Sequence, residues 1–287
     1  MDVTDHFFAT PDGPRVHYLD YRSSAEAGAP VLCLHGLTRN ERDFEELAPR
    51  ISALGRRVIV PSQRGRGLSD QDPNADRYNP AVYAADMIGL LGSLGVGRAV
   101  FVGTSMGGLI TMLAAAQAPQ LLAGAVLNDV GPEIDPVGLA RILGYAGVAK
   151  TAATWAEAAE LSRAVNGAAF PDEHGEAFWA AVARRTFRER APGEIVLDYD
   201  PRIARPAPPD AGPPPELWPL FDALSSIPAL VIRGELSDVL MASTVAEMRR
   251  RKPDLIFAST PRVGHAPFMT EPGAWTALSA FLESAAL

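Results

Sequence analysis

Residues Ala99 to Gly108 read A-V-F-V-G-T-S-M-G-G, and no other stretch constrains the fold as tightly. A short apolar run with two valines, Ala99 to Val102, predicts a buried strand, and Leu109 to Ala118 predicts a helix. Between them, Gly103-Thr104-Ser105-Met106-Gly107 places a serine at the apex of a sharp strand-to-helix turn, the arrangement called a nucleophile elbow. A serine at such an apex adopts a strained backbone. The residues two before and two after pass too close to their surroundings to carry a Cβ. The strain turns the hydroxyl outward, beside the following amide and the positive end of the helix.

The rest of the chain alternates in the same manner. His6 to Ala9 and Arg15 to Tyr21, separated by Pro11-Asp12-Gly13-Pro14, predict a hairpin at a sheet edge. Val31 to Leu34 and Val58 to Val60 are unbroken apolar runs, as expected of strands buried on both faces. Helical spacing covers Asp43 to Leu54, with Phe44, Leu47, Ile51 and Leu54 on one face. It returns from Pro80 to Leu94, where Asn79-Pro80 supply an N-cap and first position. Leu122 to Leu127 is a further strand. Alternating strands and helices predict an α/β fold, with a mostly parallel central sheet and helices on both faces.

The rhythm changes between residues 132 and 218. Helical patterns cover Gly138 to Tyr145, Thr154 to Val165 and Asp172 to Arg190, with no convincing buried strand, and Arg205 to Pro219 is rich in proline. This predicts a helical cap over 132–218, closed by a linker, inserted between core segments 1–131 and 219–287. Alternation then resumes with strands at Ala229 to Ile232 and Leu255 to Ser259, helices at Ser243 to Arg251 and Glu271 to Ser284, and a loop at Val263-Gly264-His265.

A serine hydroxyl is a weak nucleophile at neutral pH and needs a base, itself held by an acid. Of five histidines, His35 and His265 sit where strands hand over to loops. His265, between the last strand and the last helix, is placed to overhang Ser105. Two aspartates end strands in the required chain order: Asp238, in Gly234-Glu235-Leu236-Ser237-Asp238, and Asp129, in Asn128-Asp129-Val130-Gly131-Pro132. Asp238 is the favoured acid and Asp129 the alternative. Two backbone donors are needed where oxyanion charge develops. Met106, after the serine, and Leu37, in His35-Gly36-Leu37-Thr38, are the candidates. In the cap and its return, Tyr145, Trp155, Phe178, Trp218 and Phe221 are candidate substrate-binding residues. Arg64 and Arg141 are candidates for attracting an acidic substrate or, as is commoner, for structural pairing.

These motifs together resemble the α/β-hydrolase-fold serine hydrolases over nearly the whole chain. The likeness rests on His35-Gly36, Arg64-Gly65-Arg66-Gly67-Leu68-Ser69-Asp70, Gly103-Thr104-Ser105-Met106-Gly107, Gly234-Glu235-x-x-Asp238 and Gly264-His265. Ser62 departs from the aspartate that many members carry before x-Arg-Gly-x-Gly. The resemblance supports Asp238 as the usual acid position, although some relatives place the acid at the site of Asp129. It implies a serine hydrolase similar to carboxylesterases and enol-lactonases, cleaving an ester or lactone of a small molecule without a cofactor. Hydrolytic C–C cleavage, cofactor-free perhydrolysis and a slow-turnover ligand receptor use the same triad and stay open. Serine in place of aspartate at the apex argues against dehalogenation and epoxide opening.

Composition excludes other classes. A net charge of −8 argues against a nucleic-acid surface, and the longest basic run, Arg249 to Lys252, ends a predicted helix, where cations complement the dipole. The hydrophobic content is 47% and the charged content 21%, as in folded enzymes rather than disordered chains. No H-E-x-x-H, paired cysteines or G-x-x-x-x-G-K-[ST] is present, so no metal or nucleotide is expected. Cys33 is the sole cysteine, so no internal disulfide forms. With no secretory leader or membrane-length apolar run, the expected location is the cytoplasm and no membrane partner is expected. Monomer and homodimer are both compatible with the sequence.

Overall fold

The computed structural model describes residues 2–23, 26–204 and 215–284. The amino-terminal half runs β1 (Asp2–Ala9), β2 (Arg15–Arg22), β3 (Val31–Leu34), α1 (Leu47–Ala53), β4 (Val58–Pro61), α2 (Pro80–Ser93), β5 (Ala99–Thr104), α3 (Met106–Gln117) and β6 (Leu122–Asn128). The cap region carries α4 (Pro136–Tyr145), β7 (Thr151–Ala152), α5 (Trp155–Asn166), α6 (Glu176–Thr186), β8 (Phe187–Ala191) and β9 (Glu194–Leu197). The chain returns through α7 (Trp218–Asp222), β10 (Ala229–Gly234), α8 (Ala242–Arg251), β11 (Ile256–Thr260) and α9 (Pro272–Leu282).

Eight strands form one sheet in the order β1-β2-β4-β3-β5-β6-β10-β11. The pairings from β4 through β11 are parallel, while β1 with β2 and β2 with β4 are antiparallel. The hairpin thus occupies the edge, as its turn residues predict. Alternation along the buried strands splits the core into two layers. Leu32, Leu34 and Phe101 join α2, α3 and α8 on one face; Val31, Cys33, Val100 and Val102 join α1 and α9 on the other. Each such side chain taken fully out of water contributes about 1.5–3 kcal/mol, which is why near-continuous apolar runs specify these central positions.

Helix starts follow local chemistry. Asn79 accepts from the Val82 amide ahead of Pro80, and Thr154 accepts from the Glu157 amide to open α5. The helix expected from Asp43 to Leu54 is instead a 3-10 turn, Glu41–Phe44, followed by α1.

The cap is not purely helical. Antiparallel β7, β9 and β8 form a three-stranded sheet beside α5 and α6. Sequence patterning misses it because β8 reads Phe-Arg-Glu-Arg-Ala and buries only Phe187, while β9 buries only Ile195. α6 accordingly stops at Thr186, within the helix expected to reach Arg190. Ala158, Phe170, Trp179, Val182, Phe187 and Ile195 give the cap its own apolar centre. Most of the expected proline-rich linker, 205–214, lies outside the described residues. Among the described residues no helix is long and apolar enough to cross a membrane.

Candidate active site

The turn after β5 has the backbone the motif demands. Ser105 sits at φ 52° and ψ −114°, the left-handed side of φ/ψ space, and α3 begins at the next residue. The flanking glycines are explained by contact. A Cβ on Gly103 would lie 2.3 Å from the carbonyl oxygen of Gly107, and one on Gly107 would lie 2.1 Å from that of Leu34. Any side chain at either position would push the elbow off the sheet.

His265, from the loop after β11, brings Nε2 to 2.9 Å from Ser105 Oγ. Its Nδ1 lies 2.8 Å from Oδ2 of Asp129. Asp129 follows β6 directly at φ 56°, a conformation that aspartate tolerates better than most residues. Its side chain is fully buried, and a buried carboxylate must be saturated with donors. The Gly234 amide donates to Oδ1 at 2.8 Å, and the Ser237 hydroxyl donates to Oδ2 at 2.6 Å. Gly234 permits this closeness, because a Cβ there would meet the carbonyl of Gly264 at 2.4 Å. Asn128 ties the same region together by donating to the carbonyl of Pro267 at 2.7 Å and to Thr104 Oγ1 at 3.0 Å.

Asp238, the favoured acid from sequence, does not meet His265. Its carboxylate takes two hydrogen bonds from Arg141 on α4, at 2.6 and 2.8 Å. That guanidinium holds the Asp238 carboxyl below the ordinary range, against the opposing effect of burial. The cause is a one-residue offset. Ser237 turns inward to Asp129, and Asp238 turns outward to the cap. α4 is pressed onto this turn at Gly138, where a Cβ would lie 2.1 Å from the Asp238 carbonyl oxygen, so Arg141, one helical turn on, reaches the carboxylate.

The two proposed oxyanion donors flank the serine from different elements. Among the described residues, neither the Leu37 nor the Met106 amide is spent on another acceptor. Leu37 is held from behind, since Arg66 Nε donates to its carbonyl at 3.1 Å. Arg66 is fully buried and sets its guanidinium carbon 4.9 Å from the Tyr83 ring centroid, with the Tyr83 hydroxyl accepting from Nη1 at 2.6 Å; Nη2 lies 3.8 Å from Met106 Sδ. His35 fixes the start of the same loop through Gly36 O at 2.7 Å and the Gln63 amide at 2.9 Å. Burial pushes its imidazole down to about 4, so it is neutral and bridges these two main-chain groups. His35 therefore serves the loop, and His265 faces the serine.

A cavity of about 80 Å³ opens on this line of groups, and its walls include Leu37, Thr38, Arg39, Asp43, Ser105, Ile142, Tyr145, Asn166, Phe170, His265 and Phe268. Of the five candidate substrate-binding residues only Tyr145 lines it. Trp155 faces an outer groove of the cap under the Arg184 guanidinium, 3.6 Å from its ring centroid. Phe178 stands one layer back, packed on Phe170 at 5.4 Å. Trp218 and Phe221 belong to the core under the sheet, with Trp218 Nε1 donating to Glu133. Phe268, stacked on Phe170 at 5.1 Å, and Ile142 were not anticipated. Phe268 lies three residues after His265, so the loop motif itself carried a signal for it. Arg64 is enclosed by Asp12, Asp72 and Asp86 and plays a structural part.

Comparison with known proteins settles the family. A 3-hydroxybutyrate-oligomer hydrolase of Cupriavidus necator is 34% identical over 267 residues, covering 90% of each chain. A family model described as alpha/beta hydrolase fold matches residues 29–148. The chain is an alpha/beta hydrolase. The crystal structure of another alpha/beta hydrolase, from Novosphingobium aromaticivorans, superposes with a TM-score of 0.90 at 44% identity over 98% of both chains. A 2-(acetamidomethylene)succinate hydrolase of Mesorhizobium japonicum is 29% identical, covering 83% of this alpha/beta hydrolase and 82% of its own length.

Proposed function

We propose that this alpha/beta hydrolase cleaves carboxylic esters of small hydroxy acids through an acyl-enzyme on Ser105. The observation that carries this reading is the unbroken line Ser105 Oγ, His265 Nε2, His265 Nδ1, Asp129 Oδ2, with steps of 2.9 and 2.8 Å. His265 takes the Ser105 proton as Oγ bonds to the ester carbonyl carbon. The Leu37 and Met106 amides hold the tetrahedral oxyanion, each donor of this kind lowering the barrier by about 3–4 kcal/mol. As the C–O bond breaks, His265 passes its proton to the leaving alcohol. A water then gives a proton to His265 and its hydroxyl to the acyl carbon, and the proton returns to Oγ as the acid departs. Asp129 keeps the Nδ1 tautomer and offsets the imidazolium charge throughout.

The small cavity favours a short acyl chain, and Phe170, Ile142 and Phe268 offer it an apolar wall. Two relatives are named for 3-hydroxybutyrate oligomers and for an acetamidomethylene succinate, and both names denote carboxylate-bearing molecules. An ester or lactone of a small hydroxy acid fits both features. Turnover over a panel of short esters, lactones and hydroxybutyrate oligomers tests the reading. A fluorophosphonate should label Ser105 and abolish turnover; sustained turnover by fully labelled protein would overturn it.

A further inference from the structure

A second, smaller cavity of about 40 Å³ adjoins the first. It shares Thr38, Arg39, Tyr145 and Asn166 with the serine cavity and extends to Lys150, Ser162, Thr186 and Tyr199. The charged groups of the two cavities are unequal in their commitments. Arg39 gives Nε and Nη2 to Asp43 and Nη1 to Thr186 Oγ1 at 2.8 Å, so its charge is already balanced. The neighbouring Arg141 is balanced by Asp238. Half-buried Lys150 pairs with no carboxylate among the described residues. An ammonium partly removed from water and left without a counter-ion attracts an anion far more strongly than an open surface lysine does.

The neutral groups nearby suit the same ligand. Tyr145 lines both cavities and carries a phenol hydroxyl able to donate a hydrogen bond to an anion there. Thr38 brings a hydroxyl to the boundary between them. We infer that the second cavity is a carboxylate subsite. It takes the free carboxylate of an ester whose scissile carbonyl rests on Ser105, with Lys150 supplying the charge and Tyr145 and Thr38 the hydrogen bonds. The inference rests on the ester-hydrolase reading, and it narrows the substrate class to esters carrying a remote acid group.

The linear dimer of 3-hydroxybutyrate and its primary amide form a matched pair, alike at the scissile ester and different only in charge. The native chain should prefer the acid, and Lys150→Ala should lower the acid-to-amide ratio of kcat/KM by about tenfold or more. Lys150→Glu should bring the ratio below one. An equal ratio in the native chain and Lys150→Ala would overturn the subsite. Calorimetric binding of the dimer acid to Ser105→Ala, with and without Lys150→Ala, reads the subsite apart from turnover. Equal Kd values there would also overturn it, whereas tight Lys150-dependent binding without hydrolysis by the native chain would count only against the ester reading.

Discussion

Oδ2 of Asp129 receives the Ser237 hydroxyl at 2.6 Å and faces His265 Nδ1 at 2.8 Å. One oxygen thus joins the end of β6, the turn after β10 and the loop after β11. The carboxylate that meets His265 is carried by one strand and oriented by its neighbour. Asp238, adjacent in sequence to Ser237, serves the cap through Arg141 instead.

The two aspartates should therefore separate cleanly. Asp129→Asn removes the charge that fixes the His265 tautomer and should lower kcat by about 10³–10⁴. Asp238→Asn, which touches only the Arg141 pair, should cost less than about tenfold, because a partly exposed pair is a modest contributor. Steady-state kinetics on one short nitrophenyl ester checks both. The reverse order of severity would return the acid role to Asp238.

Ser237→Ala leaves Asp129 in place with one donor fewer. A hydrogen bond to a charged group contributes about 1.5–3 kcal/mol, and only part of this is realised in the transition state. A fall in kcat of about tenfold, with KM little changed, is expected. Ser237→Thr, which keeps the hydroxyl, should recover most of it.

Arg66 holds the Leu37 carbonyl and so steadies the backbone of the residue whose amide is the proposed oxyanion donor. Arg66→Met should lower kcat for ester hydrolysis more than it raises KM, because the oxyanion exists only in the transition state. Circular dichroism and thermal melting of the same variant separate this from loss of fold. Equal changes in kcat and affinity for a ground-state product would argue that Arg66 only shapes the pocket.

His35 gives a pH signature in stability. Its folded value is about 4, below the ordinary 6.5, because burial disfavours the cation. Between pH 6.5 and 4 the unfolded chain binds a proton there and the folded chain does not, so stability falls as pH drops through that window. The effect amounts to roughly 3 kcal/mol when complete. Melting curves from pH 7.5 to 4.5 should show a steeper decline for the native chain than for His35→Gln, which has no such proton to take up.

The fold was legible because its signals are local. Paired glycines around Ser105, apolar runs such as Val31 to Leu34, and the Asn79-Pro80 cap each state their structure within a few residues. The meeting of Ser105 and His265 was legible for the same reason, each sitting in a glycine-marked turn at a strand end. Which carboxylate meets His265 was not, because Asp129 and Asp238 both end strands and only the turn geometry after β10 decides which side chain faces the histidine. The pocket was hardest to read. Trp155, Phe178, Trp218 and Phe221 are large and aromatic, yet packing within the cap and core claims them, as it claims most such residues. The cap sheet escaped notice because β8 exposes four of its five residues and carries no alternating apolar pattern.

The nucleophile itself offers the most direct measurement. Turnover of a short-chain nitrophenyl ester by Ser105→Ala, whose methyl side chain fits the same elbow, isolates the one atom that the acyl-enzyme route cannot lose. A fall of at least about a thousandfold in kcat is predicted, with the melting temperature held near that of the native chain. Near-native turnover by this variant would contradict covalent catalysis at Ser105.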